Sequence, residues 1–303
     1  MKNYSLEKSP LFGIPSKAKL ADLLNVGRSD LLAMSRNPTY SFFKIRKGEK
    51  FRDIEDPNPD LKKLQKRLNR LLSRIQVPEY VKSSRKGISY VDNAKFHLGF
   101  NCTAKFDIDK FFRSTKREYV FRCFHYTFGM PGDLAWLLTD LVTLDGHLPT
   151  GAPTSPLLAY WAYADVFSRM HSLAESRGAV MSLYVDDVAV SGNQPLKSEF
   201  RDKLSSIAGD YELKLKKDKT HYYLEGETRL ITGCALNTVG QAIVPNKLRR
   251  KISIMIQQRD ISDMTEKEIR RLYGLLNSAR QIEPDFSPGL FGRAKSRIET
   301  LPV

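Results

Sequence analysis

Several features that mark whole classes of protein are missing from this chain. Its 303 residues include three cysteines, Cys102, Cys123 and Cys234, which are odd in number and never fall in a CxxC or Cys/His spacing. A disulfide framework or a zinc site is therefore not expected. No stretch nears the run of about 20 apolar residues that spans a bilayer, and the opening MKNYSLEKSPLFGIPSK has no apolar signal core. The expectation is a cytoplasmic protein without a membrane partner. The phosphate-loop, dinucleotide and zinc-protease motifs (GxxxxGKS/T, GxGxxG, HExxH) are absent. Acid is in short supply as well: 49 Lys plus Arg against 34 Asp plus Glu leave a formal charge of +15.

What is present is a core-forming composition, 41% apolar and 10% aromatic, which excludes disorder. The cationic excess calls for a polyanionic partner, nucleic acid ahead of an anionic membrane. Leu20, Leu23 and Leu24, then Leu31, Leu32 and Met34, predict short helices over residues 16–35. IRKGEKFRDIEDPNP turns at a Gly and ends at Pro57 and Pro59, which predicts a β-hairpin. LKKLQKRLNRLLSRI predicts a helix with a Leu stripe and a cationic face. CTAKFDIDKFF (102–112) and MSLYVDDVAVSG (181–192) are expected strands, with apolar helices around 118–144 and 156–175. YELKLKKDKTHYYLEG and RLITGCALNTVGQAIVP read as hairpins, and the basic tail is helical, with Thr265 and Glu268 in capping-box spacing. Strands and helices mix without βαβ repetition, which predicts an α+β architecture.

The informative residues are acids where strands disfavour them. Asp107 lies in KFDIDKFF, and Asp186 with Asp187 interrupts the apolar run LYVDDVAV. Arms LYV and VAV would put both acids in a tight turn, and a neighbouring strand carrying Asp107 would supply a third carboxylate. Hard oxygen ligands of this kind suit Mg²⁺, and a pair of such ions can activate a hydroxyl and neutralise a departing pyrophosphate.

Taken in order, FDIDKFF, LPTGAPTSPLLA, YVDD, the Lys-Thr that follows and LITG resemble the motif set of reverse transcriptases of the bacterial retron and group II intron type, over about Lys44 to Ile256. NAKFH resembles the retron NAxxH signature, and Ile231, Thr232 and Gly233 stand where retrons carry a VTG triplet. The resemblance implies a right-hand polymerase: cap and fingers over 1–100, palm over 101–235 with an antiparallel sheet and helices 113–175 inserted, and a small helical thumb over 236–303. It implies Asp107, Asp186 and Asp187 as ligands of two Mg²⁺ ions, Lys219 beside the pyrophosphate with Lys216 and Lys217 close enough to share that role, and Asp109 outside the first rank. Phe112 would sit under the sugar and select dNTP over NTP. Lys50 and Arg52, assisted by Lys47, would grip triphosphate or template. Thr150, where the family usually has Gln, and Gly151 would lie against the nucleotide, with the small residues of LPTGAPTSP giving close backbone approach. Asn93, His97, Ile231, Thr232, Gly233, Lys247, Arg249, Arg250 and Lys251 would be structural or contact RNA. Tyr222 and Tyr223 precede the thumb as a primer grip. The implied activity is copying part of a cognate structured noncoding RNA into RNA-linked multicopy DNA, primed by an RNA 2′-hydroxyl and allied to an effector protein in antiphage defence. A non-retron bacterial defence or diversity-generating reverse transcriptase, and a catalytically silent RNA-binding scaffold, are the competing readings.

Overall fold

A computed structural model describes residues 3–48 and 50–301, apart from the side chains of Lys47 and Lys50; the expected roles of those two lysines lie outside the described residues. Helices α1 (Lys17–Leu24) and α2 (Arg28–Arg36) lead into β1 (Tyr40–Lys47) and β2 (Lys50–Pro57), an antiparallel two-stranded sheet that turns at Gly48 with φ 69°. Helix α3 (Pro59–Leu72) follows. Asn58 caps it by accepting the Leu61 N–H, and Pro59 fills the first turn, where its missing N–H does no harm. Leu61, Leu64, Leu68, Leu71 and Leu72 are buried, while Lys63, Lys66 and Arg70 are exposed.

After α4 (Tyr90–Lys95) comes β3 (Cys102–Asp107), which stops at Asp107 instead of running on to residue 112. Lys110 turns left-handed at φ 44° and starts the short α5 (Phe111–Ser114), so the second half of the expected strand is a turn and a helix. Helices α6 (Arg117–Arg122), α7 (Gly132–Val142), α8 (Ser155–Ala162) and α9 (Ala164–Glu175) precede the hairpin of β4 (Val180–Tyr184) and β5 (Asp187–Gly192), then α10 (Ser198–Gly209). The expected YELKLKKDKTHYYLEG hairpin does not form. Leu215 makes a single bridge to Ile108, residues Lys217–Lys219 make a 3-10 turn, and β6 (His221–Tyr223) joins β3 instead. The central sheet therefore runs β4-β5-β3-β6, all antiparallel. A three-stranded sheet of β7 (Arg229–Ile231), β8 (Cys234–Leu236) and β9 (Ala242–Ile243) leads to α11 (Asn246–Gln258), α12 (Glu266–Ile282) and α13 (Pro288–Glu299). The expected capping box closes at Thr265 and Glu268.

Directly opposed residues in an antiparallel pair share a face. Thr103, Lys105 and Asp107 of β3 oppose Ser191, Ala189 and Asp187 of β5, and Ser182 and Tyr184 of β4 oppose Ala189 and Asp187. One face of the sheet thus carries these polar residues. The other presents Ala104, Phe106, Met181, Leu183, Val188 and Val190 to a core shared with Phe167, Met170, Phe200 and Leu204 of α9 and α10. A second core gathers Val91 and Ala94 of α4, Ile231, Cys234 and Leu236 of the third sheet, and Ile252, Leu272 and Leu276 of the tail helices. The third sheet thus packs with the tail helices. Among the described residues no helix is long and apolar enough to cross a membrane.

Candidate active site

The acids fall where strand register and turn geometry put them. Asp107, last residue of β3, lies directly across from Asp187, first residue of β5. Tyr184 pairs with Asp187, which leaves Val185 and Asp186 as a two-residue turn, so Asp186 is at the turn while Asp187 already belongs to the strand. Val185 adopts φ 59°, a region that a β-branched residue seldom occupies and that costs about 1–2 kcal/mol. Its N–H donates to Ser83 Oγ at 3.0 Å, and the Tyr80–Lys82 segment bonds to Leu183 on both sides, so neighbouring backbone fixes the strained turn. The Ile108 N–H donates to the Asp186 carbonyl, tying the two acid-bearing segments together.

Asp107 is nearly buried, and both its oxygens are taken: Lys216 Nζ lies at 2.6 Å and Lys219 Nζ at 2.8 Å. Lys216 also approaches Asp109 at 3.6 Å. The bond to Asp107 raises the Lys219 pKa, so that residue keeps its charge at neutral pH. Among the described residues, the side-chain carboxylate of neither Asp186 nor Asp187 is in a salt bridge or accepts another residue's hydrogen bond. Burial first and neighbouring carboxylates second raise both of their pKa values, Asp107 acting on Asp186 and Asp186 on Asp187. Lys216 and Lys219 beside Asp186, and Lys105 and Lys219 beside Asp187, offset this only in part and none is in direct ion-pair contact, so the two half-buried carboxylates are suited to a hard divalent ion. Among the described residues, however, no three acidic, His or Cys side chains are already drawn together as an ion cage. Both Asp107 oxygens are instead bonded to lysines.

These residues line a cleft of about 920 Å³ whose walls include Phe51, Arg52, Asp107, Phe112, Thr150, Asp186, Asp187, Lys216 and Lys219. A larger groove, about 1260 Å³, lies between α3 and α1–α2 but mixes Lys63, Lys66 and Arg70 with Asp22, Asp30 and Asp56, and holds none of the three acids. Phe112 stacks on Phe111 with ring centroids 6.1 Å apart and turns its open side to the cleft. Gly151 packs against β2. A Cβ there would lie 2.9 Å from Ile54 Cγ2 and 3.0 Å from the Glu55 carbonyl, so its smallness serves contact with β2. Lys105 and Lys110 also line the cleft, although no sequence motif points to them; Lys105, two residues before Asp107, could have been read from strand periodicity.

The two short signatures meet. Asn93 Nδ2 donates to Thr232 Oγ1 at 3.2 Å, and Thr232 Oγ1 donates to the Tyr90 carbonyl. His97 bridges Ser191 Oγ at 2.9 Å and Ser182 Oγ at 2.7 Å, and Ser191 continues to Thr103 and thence to Arg229. Asn93, His97 and Ile231 are at most 1% exposed. Asn93 and His97 are thus buried within this joint and Ile231 in the second core, a structural placement. Thr232 and Gly233 stand at the tip of the β7–β8 turn. On α11, Lys247, Arg250 and Lys251 are exposed, whereas Arg249 is drawn to Glu283 at 2.6 Å and lies over the Phe286 ring.

Carboxylates at the end of a sheet, faced by lysines and overhung by a basic hairpin, define a site of the phosphoryl-transfer class. The chain belongs to the reverse transcriptase family: residues 45–272 match the family described as reverse transcriptase (RNA-dependent DNA polymerase). It is 27% identical over 216 residues to the retron Se72 reverse transcriptase of Salmonella heidelberg (strain 579083-10), covering 68% of this chain and 57% of that protein. Identity to the retron Ec86 reverse transcriptase of Escherichia coli is 28% over 235 residues, 74% of this chain and 73% of the relative. To the retron Mx65 reverse transcriptase of Myxococcus xanthus it is 27% over 266 residues, 80% and 61%. The chain thus spans under two thirds of the length of two of these three relatives.

Proposed function

We propose that the protein is the RNA-directed DNA polymerase of a retron, copying part of its own noncoding RNA into RNA-linked DNA. The observation that carries this is the opposition of Asp107 and Asp187 across β3 and β5, with Asp186 in the adjoining turn, in one cleft with Lys219, Arg52 and Phe112. Asp186 and Asp187, with Asp107 once its lysines swing aside, would hold two Mg²⁺ ions. Bound there, the ions would lower the pKa of the primer hydroxyl and neutralise the phosphates of the dNTP. Lys219, kept protonated, offsets the charge of the departing pyrophosphate. Arg52 on β2 is placed to meet the triphosphate, and the Phe112 ring excludes a 2′-hydroxyl. Asp109 shares Lys216 with Asp107 and so helps decide where that cation rests.

The polar face of the sheet runs from the acids at one end to the His97 joint at the other, where α4 and the C-terminal unit pack. A primer–template duplex laid along that face would meet Tyr223 and His221 of β6, then α11 with Lys247, Arg250 and Lys251. In this reading β1–β2 are fingers, the central sheet is palm and α11–α13 are thumb. RNA-primed multicopy DNA, an effector protein and a role against phage belong to this proposal as what the resemblance to retron enzymes implies. The test is to purify the protein from cells carrying its RNA and sequence the bound nucleic acid. DNA joined to an RNA 2′-hydroxyl supports the retron; unlinked DNA made on added RNA templates leaves the polymerase but removes the retron; no extension of any primer leaves an RNA-binding scaffold.

A further inference from the structure

The β1–β2 hairpin forms a sheet with no third strand among the described residues, and an isolated hairpin is marginal in water. Its position over the cleft must come from contacts at its base, where Tyr40 meets Gln65, Asp56 meets Lys62, and one buried acid makes a cluster of contacts of its own. Glu55, on β2 three residues after Arg52, is 4% exposed. Its carboxylate accepts from Arg113 Nη2 at 3.2 Å and from the Thr150 N–H at 2.9 Å, and lies 3.2 Å from His147 Nε2. The Glu55 N–H in turn donates to the Thr150 carbonyl at 2.9 Å. Gly151 then packs so closely on Ile54 and Glu55 that no side chain fits.

Two partners of Glu55, Arg113 and Thr150, themselves line the cleft, as do Phe112, which precedes Arg113, and Arg52 on the same strand as Glu55. Glu55 is behind this wall and does not line the cleft. We infer that Glu55 is a positioning residue: by latching β2 to residues 147–151 and to Arg113 it fixes the distance between Arg52 and Phe112, and so sets how tightly, and with which sugar, a nucleoside triphosphate is held. The inference rests on the polymerase reading for its kinetic half and on geometry alone for the latch.

Two chemically unrelated lesions address the same contact. Glu55→Gln keeps the shape and the bond from Thr150 but removes the charge that Arg113 requires. Gly151→Ala leaves Glu55 intact and drives a methyl group into Ile54. Both should raise KM for dNTP by about tenfold, since small displacements of a positioned group are expensive. Both should lower discrimination of dTTP over UTP with kcat within about twofold of wild type. Amide exchange of residues 40–57 should accelerate in both, with β3–β5 unchanged. A global folding defect would instead lower the melting temperature and accelerate exchange throughout. Unchanged hairpin exchange in Glu55→Gln overturns the latch, whether or not the protein polymerises. Faster exchange with unaltered KM and sugar selectivity in an active enzyme overturns the role in nucleotide binding. If wild type extends no primer, the polymerase function itself fails, and the exchange data alone uphold or reject the latch.

Discussion

At the scale of single residues, the site places charge where stability alone would not. Asp186 and Asp187 sit half-buried beside each other with no lysine in direct contact, whereas Asp107 is bonded by two lysines. Their sequence context is legible, since acids in apolar strands are costly and rare. Lys216 is legible only as one of several lysines, because its choice of Asp107 depends on the turn that brings residue 216 back to β3. Phe112 bounds the cleft. Phe112→Ala should lower selectivity for dNTP over NTP by about 10–100-fold in competition assays. His97 is held neutral, its pKa pushed down to about 3 by burial first and then by the charges of Arg229 and Lys82. The unfolded state takes up a proton near pH 6.5 and the folded state does not, so this residue's contribution is complete above that pH and falls on acidification. The loss reaches about 2 kcal/mol by pH 5. Denaturant titrations at pH 7 and pH 5 should show it, and in His97→Gln the pH slope should flatten even though the variant starts less stable.

Among secondary-structure elements, agreement between sequence and structure is best where one local rule acts alone. The β1–β2 hairpin with its Gly turn, the Leu stripe of α3 and the capping box of α12 all form as periodicity and capping predict. Agreement fails where a partner decides. β3 ends at Asp107 because Ile108 is claimed by Leu215 and Lys110 turns left-handed. YELKLKKDKTHYYLEG pairs with β3 rather than with itself, an outcome that alternation within the segment does not encode. Ile231 to Gly233 reads as one short triplet, yet Ile231 enters the second core and Thr232–Gly233 makes a turn with φ 45° and 84°, the positive pair that a two-residue hairpin favours. Gly233→Ala would meet no atom, so its cost is conformational, about 1 kcal/mol. It should appear as a lower melting temperature with the cleft chemistry unaffected.

For the molecule as a whole, the positive charge divides between cations that hold the protein together and cations left for a partner. Arg249, Arg113 and Lys219 are engaged internally; Lys247, Arg250 and Lys251 are exposed on α11. Replacing those three by Ala should weaken RNA binding and flatten the plot of log K against log salt by about two units, at roughly 0.7–0.9 for each phosphate no longer neutralised. Composition forecasts the polyanion but not this division, which depends on where α12 and β3 place their acids. The proposed polymerase activity requires Asp107, Asp186 and Asp187 to serve as one ion-holding set. The direct measurement is single-nucleotide extension of a primer on an RNA template with Mg²⁺, comparing wild type with Asp186→Asn, alongside their melting temperatures. The account predicts a drop of about 10³-fold in rate with a melting temperature equal to or above wild type, because a repelled buried charge has been removed. Comparable rates in the two proteins would contradict it.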